Sequence, residues 1–353
     1  MLAVVWVLSA HEPSLPRRFN FPLVALLAVF VLLAVGSVLA SHEPLRSARS
    51  LPGLSLYLLL PIAMDTLGRR KQGRRLLLTL AAVGVLESLY SFWQYGRGRG
   101  ALADRIRGGL SHYMTFSAIA MIAGCLLLAY LLEERGRRRW IGALCLVPFA
   151  AIALTLTRGA YVGTLAALAV YLGVRRPRGL LLAIPLAAVL IAASPREVRQ
   201  RFVSIVDLQD ETNRDRIAMA RAGLRMISDR PIFGHGPEMI KNYYVLYRDE
   251  GAPRWRVPHL HNNVLQIGAA MGIFAAAAYL AMVVLVLART IVRLRATPPG
   301  ESGFLWAGPL MAVTALTFAG LFEYNFGDTE VLIATLLVMA VPFSRAVSAE
   351  PRG

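Results

Sequence analysis

Apolar runs of near-membrane length recur along the whole chain, and this constrains the fold more than any other feature. A helix crossing hydrocarbon needs roughly 20 apolar residues and must satisfy its backbone hydrogen bonds internally. Such runs lie at Phe21–Ala40, Leu51–Leu67, Leu76–Tyr95, His112–Leu132, Trp140–Thr157, Ala160–Val174, Leu180–Ala193, Asn262–Ala288, Phe304–Phe322 and Val331–Phe343. Met1–Ala10 is apolar but short, and reads as the tail of a truncated first span. Together they predict an all-α, polytopic integral membrane protein with about eleven transmembrane segments. The runs are continuous rather than alternating, which argues against a barrel. The chain is 56% hydrophobic and only 17% charged, against about 25% charged in soluble domains.

The net charge of +17 does not imply nucleic acid, because the basic residues collect in alternate short loops. These are Arg17-Arg18, Arg69-Arg70-Lys71 with Arg74-Arg75, Arg135 with Arg137-Arg138-Arg139, Arg175-Arg176 with Arg178, and Arg289 with Arg293 and Arg295. The positive-inside rule puts them in the cytoplasm. The polar stretch Ser194–Pro258 then faces outward. The expected organisation is an N-terminal bundle over 1–193, an outer loop with amphipathic helices over 194–260, and further spans over 261–353. Two outward elements break the charge rule. Gly96–Ser111 carries Arg97, Arg99, Arg105 and Arg107 against Asp104, and the turn Thr157-Arg158-Gly159 leaves an arginine between two spans. Cys125 and Cys145 lie within apolar spans and have no metal-ligand spacing.

The large loop has internal order. Thr212-Asn213 offers a helix N-cap, with Asp215 in the first turn. Ile217, Ala220, Leu224 and Ile227 recur at helical spacing, with Arg214, Arg221 and Arg225 off that face. This predicts an amphipathic helix on the outer interface, ended by Pro231 and Gly234-His235-Gly236-Pro237. A second short segment runs from Met239 to Tyr247. His261 stands where the loop re-enters the membrane, and its imidazole suits a general base at neutral pH. Its neighbour His259 is the alternative, and a span starting near His261 would favour His261. Arg158 can clamp an anion through its guanidinium or simply snorkel at the interface. Arg216, Arg105 and Arg107 can add charge for a pyrophosphate, or meet lipid headgroups. There is no Asp-x-Asp pair, His-Glu-x-x-His, Walker A loop or Gly-x-Ser-x-Gly. The expected chemistry uses no metal and no cofactor, and relies on a base and on arginines that stabilise a leaving group.

Three stretches resemble the O-antigen ligase family, which also includes polysaccharide polymerases and protein O-oligosaccharyltransferases. They are Thr157-Arg158-Gly159-Ala160-Tyr161-Val162-Gly163, Asn213 to Pro237 with Arg216, and His261-Asn262 followed by Gly272. Three residues after that glycine the chain has Ala275, where the family usually has Gly, Thr or Tyr. The resemblance implies that His261 is the catalytic base, and that Arg158 and Arg216 hold a lipid-linked pyrophosphate. Arg105, Arg107 and Asn262 join them as substrate-binding candidates. It further implies a donor glycan on undecaprenyl diphosphate, an acceptor hydroxyl on lipid A-core or another glycan, and a tail lying in lipid-facing grooves between helices. The implied place is the bacterial inner membrane, with the site facing the periplasm. The rival readings are a polymerase of the same superfamily, a lipid-linked sugar transporter with Glu87 inside a span, and a membrane scaffold.

Overall fold

A computed structural model describes residues 21–136 and 139–348. The Met1–Ala10 run, Arg17-Arg18 and Arg137-Arg138 lie outside the described residues. The described chain is helical, and its only bridge pairing is an isolated one between Ala101 and Asp104.

Five helices are long and apolar enough to cross a membrane: Pro22–Ala40, Arg70–Gly96, Tyr113–Glu133, Ile273–Ala296 and Ser302–Ala319. Three shorter apolar stretches, Trp140–Thr155, Pro177–Ala193 and Thr329–Phe343, also fall on expected spans. We label the elements used below α1 (Phe21–Ala40), α2 (Arg70–Gly96), α3 (Tyr113–Glu133), α4 (Leu146–Thr155), α5 (Arg158–Arg175), α6 (Leu180–Ala193), α7 (Arg196–Val203), α8 (Glu211–Asp229), α9 (Ile240–Tyr247), α10 (Asn263–Met271), α11 (Ile273–Ala296), α12 (Glu301–Ala319) and α13 (Thr329–Ala340). Helix α12 is central and packs mainly on α3 and α5. Gly163 permits that closeness, since a Cβ there would lie 2.4 Å from the Ala315 carbonyl oxygen.

The expected spans Leu51–Leu67 and Asn262–Ala288 are not single α-helices, and Trp140–Thr157 divides into Trp140–Ala143 and Leu146–Thr155. Leu51–Leu67 is a 3-10 segment, Ala48–Leu58, followed by the short helix Leu59–Thr66. Pro52 sits inside the 3-10 segment and supplies no N–H to a helical ladder. Asn262–Ala288 breaks at Gly272, which has φ 90° and separates α10 from α11. A Cβ at Gly272 would lie 2.0 Å from the Ile232 carbonyl oxygen, and the next N–H, from Ile273, donates to Pro231 at 2.8 Å. Gly272 is thus the point where the segment Pro231–Phe233 docks onto the break.

The turn before it has a matching role. The N–H groups of His235 and Gly236 donate to the carbonyls of Ala269 and Ala270, at 3.0 and 2.9 Å. Ser37 and Ser41 of the first helical region tie in from the other side, donating to Ala270 and His235 carbonyls at 2.8 and 2.9 Å. His235 itself is buried, with Nε2 3.1 Å from the Met226 carbonyl. It is structural.

The amphipathic helix forms, as α8, but its cap and its inner face differ from expectation. Asp210, not Thr212-Asn213, is the N-cap, and its side chain accepts from the Asn213 N–H. The buried face is Asp215, Ala218, Met219, Ala222, Gly223 and Met226, while Ile217 and Leu224 are exposed. Ala218, Ala222 and Gly223 on this face let α8 lie close to its neighbours: a Cβ at Gly223 would come within 2.8 Å of Leu260.

Both ends of the bundle carry charge, but differently. At one end the Arg175 guanidinium and the Glu133 carboxylate pair at 2.8 Å, as do Arg74 and Glu134. At the other end arginines outnumber carboxylates, and there the candidate residues gather.

Candidate active site

A cavity of about 510 Å3 opens at this second end, within the size range of small-molecule sites. The starts of three helices face it: Tyr113–Thr115 of α3, Arg158 of α5, and Thr212, Asp215 and Arg216 of α8. Helix N-termini present unpaired N–H groups and positive dipole ends, so their convergence favours an anion. Five arginines line the cavity, Arg105, Arg158, Arg201, Arg216 and Arg254, against the carboxylates Asp215, Glu323 and Asp328.

His261 lies in the wall. Helix α10 begins two residues later than a span starting at His261 would, so the helix does not hold the imidazole. A left-handed backbone does, with φ 50°, a region that non-glycine residues enter rarely and histidine more readily than most. The ring is fixed by Glu323, whose Oε2 is 2.9 Å from His261 Nδ1. A proton on Nδ1 then donates to the carboxylate and leaves the Nε2 lone pair for substrate. Glu323 is 62 residues away, just past α12. Burial alone would raise its carboxyl. The hydrogen bond from His261, with the charges of His261, His259 and Arg216, instead holds it below the usual range. Glu323 is the principal cavity residue that sequence reasoning missed, and its only signal was a carboxylate directly after an apolar run.

His259 is the second histidine of the wall. Its Nδ1 accepts from the His261 N–H at 3.3 Å, and its Nε2 is 3.6 Å from Glu323 Oε1. Burial pushes its pKa down to about 4, with Glu323 opposing and His261, His112 and Arg216 reinforcing. It is neutral at physiological pH. His259, His261 and Glu323 offer three ligand atoms within 4.8 Å of one another, a set that can hold a divalent ion. His112, also on the cavity, caps α3 by accepting from the Met114 N–H at 3.3 Å.

Arg158 is the first residue of α5 and is buried. The turn lies one step earlier than expected, at Leu156 with φ 55°. Arg158 is anchored: it donates to the Ser204 carbonyl at 2.7 Å and pairs with Asp210 at 3.0 Å. Burial would raise the Asp210 carboxyl, but Arg158, the Asn213 N–H and Arg201 hold it low. Arg216 is less engaged, with its nearest carboxylate, Glu323, at 3.8 Å. Its pKa is lowered by burial, opposed by Glu323. Burial also pushes Arg201 down to about 10, and Arg158 and Arg105 add to the effect. These guanidiniums crowd one another in a partly dehydrated space, and a polyanion would relieve that crowding. Asp215 and Arg254 pair at 2.9 Å and hold the segment before His259 over α8.

Two other candidates fall elsewhere. Asn262 is the N-cap of α10: its side chain accepts from the Leu265 N–H at 2.9 Å and donates to the Leu321 carbonyl at 3.0 Å. It holds the helix and does not line the cavity. Arg107 points away from the cavity and donates to the Ser111 carbonyl at 3.1 Å. Arg105 does line it, with its guanidinium 4.3 Å from the Tyr113 ring centroid.

An apolar groove of about 330 Å3 begins beside the arginines. Tyr161, Leu165 and Leu168 follow Arg158 on one face of α5, and Phe202 stacks on Tyr161 at 4.4 Å. Arg201, adjacent to Phe202 in α7, faces the cavity. The same two helices therefore supply guanidiniums to the cavity and apolar walls to the groove.

Residues 143–280 match the family model described as O-antigen ligase. Over this segment the chain is similar to the O-antigen ligase family. A comparison with curated proteins gave no match. The matched segment contains Arg158, Arg216 and His261, while Arg105 and Glu323 complete the cavity from outside it. The family is one of membrane glycosyl-transferring enzymes, of the ligase and polymerase type. Glu87, the carboxylate that would mark a transport path, instead accepts from the Gly109 N–H at 2.6 Å and holds a loop.

Proposed function

We propose that the protein is a metal-independent, inverting glycan ligase acting at the periplasmic face of a bacterial inner membrane. The donor is a glycan on undecaprenyl diphosphate and the acceptor is a sugar hydroxyl of lipid A-core. The observation that carries this is the His261–Glu323 pair facing an arginine-rich cavity whose walls continue into an apolar groove. In this reading His261 Nε2 takes the proton from the acceptor hydroxyl. The oxygen attacks the anomeric carbon as the bond from that carbon to the diphosphate oxygen breaks. The electron pair leaves with the diphosphate, where Arg216, Arg158, Arg105 and Arg201 stabilise it. Glu323 stabilises the imidazolium, which then returns its proton to solvent. The polyprenyl tail lies in the groove along Tyr161 and Phe202.

The test is transfer in vitro by purified protein with a lipid-linked donor and lipid A-core, in EDTA, comparing wild type with His261→Ala. Transfer by wild type and none by the variant is the expected result. Longer chains on the polyprenyl carrier, with lipid A-core unmodified, would replace the ligase by a polymerase. Full activity of the variant would remove His261 from the mechanism.

A further inference from the structure

The loop after α2 has two faces. Gln94 of α2 clasps it, donating to the Gly108 carbonyl at 2.7 Å and accepting from the N–H groups of Arg107 and Gly108 at 3.0 and 3.1 Å. Glu87 holds Gly109 one step on. Gly108 has φ 60°, and a Cβ there would lie 2.6 Å from the Glu87 carboxylate, so the clasp closes only on glycine. Ile106 is fully buried between Arg105, which lines the catalytic cavity, and Arg107, which lines a separate pocket of about 630 Å3. One rigid loop thus joins two sites.

The second pocket combines two chemistries. Arg97, Arg99 and Arg107 line it, and among the described residues only Arg99 has a carboxylate partner, Asp104 at 3.7 Å. Below them, Leu86, Tyr90 and Trp93 are exposed and share a face of α2 with Arg97. Tyr90 and Trp93 stack at 5.4 Å, and the Arg97 guanidinium lies 5.0 Å from the Trp93 ring centroid. From the helix interior outward, this face reads aliphatic, aromatic, then cationic. Amphiphiles are ordered the same way, with acyl chains, an interfacial region and an anionic head. A tail alone would need no guanidiniums that lack a carboxylate partner. Arg70–Gly96 is long and apolar enough to cross a membrane, so its exposed face meets lipid and brings the arginines above it to the level of lipid headgroups.

We infer that this pocket docks the acceptor: a lipid-anchored saccharide whose phosphate is held by Arg97 and Arg107 and whose acyl chains lie along Leu86 and Tyr90. The inference rests on the transferase reading and adds where the second substrate enters. The donor groove lies on α5 and α7, and the acceptor approaches along α2, so the two lipids need not pass each other. The clasped loop then carries the acceptor's position to the cavity through Arg105.

Binding is measured on His261→Ala protein in detergent, so that no turnover interferes. The probes are lipid A-core, the same lipid after phosphatase treatment, and phosphatidylglycerol. Lipid A-core is expected to bind at least ~10-fold more tightly than its phosphatase-treated form, with Arg97→Gln/Arg107→Gln abolishing the difference and Arg97→Lys/Arg107→Lys partly restoring it. In otherwise wild-type enzyme the Gln pair is expected to raise the acceptor KM ~10-fold and leave kcat and the donor KM unchanged. Equal binding of the two lipid A-core forms, or equal competition by phosphatidylglycerol, would overturn the inference. Wild-type protein that binds the probe but transfers nothing would overturn the transferase reading and this acceptor role with it. Loss of phosphate preference in an active enzyme would overturn the acceptor site alone.

Discussion

Replacing Glu323 by Gln tests the chemistry most directly. The Glu323 carboxylate accepts from His261 Nδ1 at 2.9 Å, and the two side chains are only 13% and 12% exposed, so solvent screens their interaction weakly. A hydrogen bond to a charged group contributes roughly 1.5–3 kcal/mol net. In the proposed mechanism this contribution matters most when His261 holds the acceptor's proton and is itself charged. At about 1.4 kcal/mol per tenfold in rate, losing it lowers kcat by roughly 10- to 150-fold. Gln keeps the shape and can still accept from Nδ1, so Glu323→Gln should fall near the lower figure and Glu323→Ala near the upper. Steady-state transfer in nanodiscs, with donor and acceptor varied separately, reads the effect. The donor KM should stay put, because Arg216 is 3.8 Å from the carboxylate and is released rather than removed. The double variant with His261→Ala should be no slower than His261→Ala alone, because Glu323 acts through the imidazole. A folded Glu323→Gln protein within twofold of wild-type kcat would refute the reasoning. A raised donor KM at unchanged kcat would reassign Glu323 to positioning Arg216.

Arg158→Ala and Arg216→Ala should differ. Arg158 is buried and paired with Asp210, and removing it strands a partly buried carboxylate at a cost of roughly 3 kcal/mol; its melting temperature in detergent should drop as donor use fails. Arg216→Ala should weaken donor binding with little loss of melting temperature. Asn262→Ala should cost about 1 kcal/mol as a lost N-cap, seen as lower thermal stability, and keep the donor KM. His259 titrates near 4 when folded against an ordinary 6.5, so the unfolded state binds more protons in between. Its contribution to stability is therefore lost as pH falls from about 6.5 to about 4, and His259→Gln should flatten the melting-temperature profile there. Zinc should inhibit by seating on His259, His261 and Glu323, with EDTA restoring full rate; inhibition that persists in His259→Gln/Glu323→Gln would reject that site.

What the sequence disclosed and what it hid divide along a physical line. Hydropathy is additive along a chain, so the long spans Phe21–Ala40 and Tyr113–Glu133 appear where their composition puts them. Charge in the wrong place is also a local signal, and it exposed Arg158 and Arg105, while Arg216 was picked out by its place at the start of the amphipathic helix. A break in an apolar run carries no such signal. Gly272 splits α10 from α11 because the polar loop comes back to meet it at Pro231 and Ile232, a contact forty residues distant. The inner face of α8 was hidden for a related reason. Ile217, Ala220, Leu224 and Ile227 repeat at 3-4-3, and Asp215, Met219, Ala222 and Met226 repeat at 4-3-4. Both patterns fit a helix, and transfer energy alone favours the bulkier one. The structure buries the other, the face on which Gly223 leaves room for Leu260 to pack against the helix. Glu323 combines both difficulties. It is one carboxylate after a span, with an alternative as an ordinary boundary residue, and its role comes from a histidine 62 positions away. Sequence patterns locate the groups that tolerate water poorly. The chemistry depends on which of those groups meet, and that is decided by packing around α12.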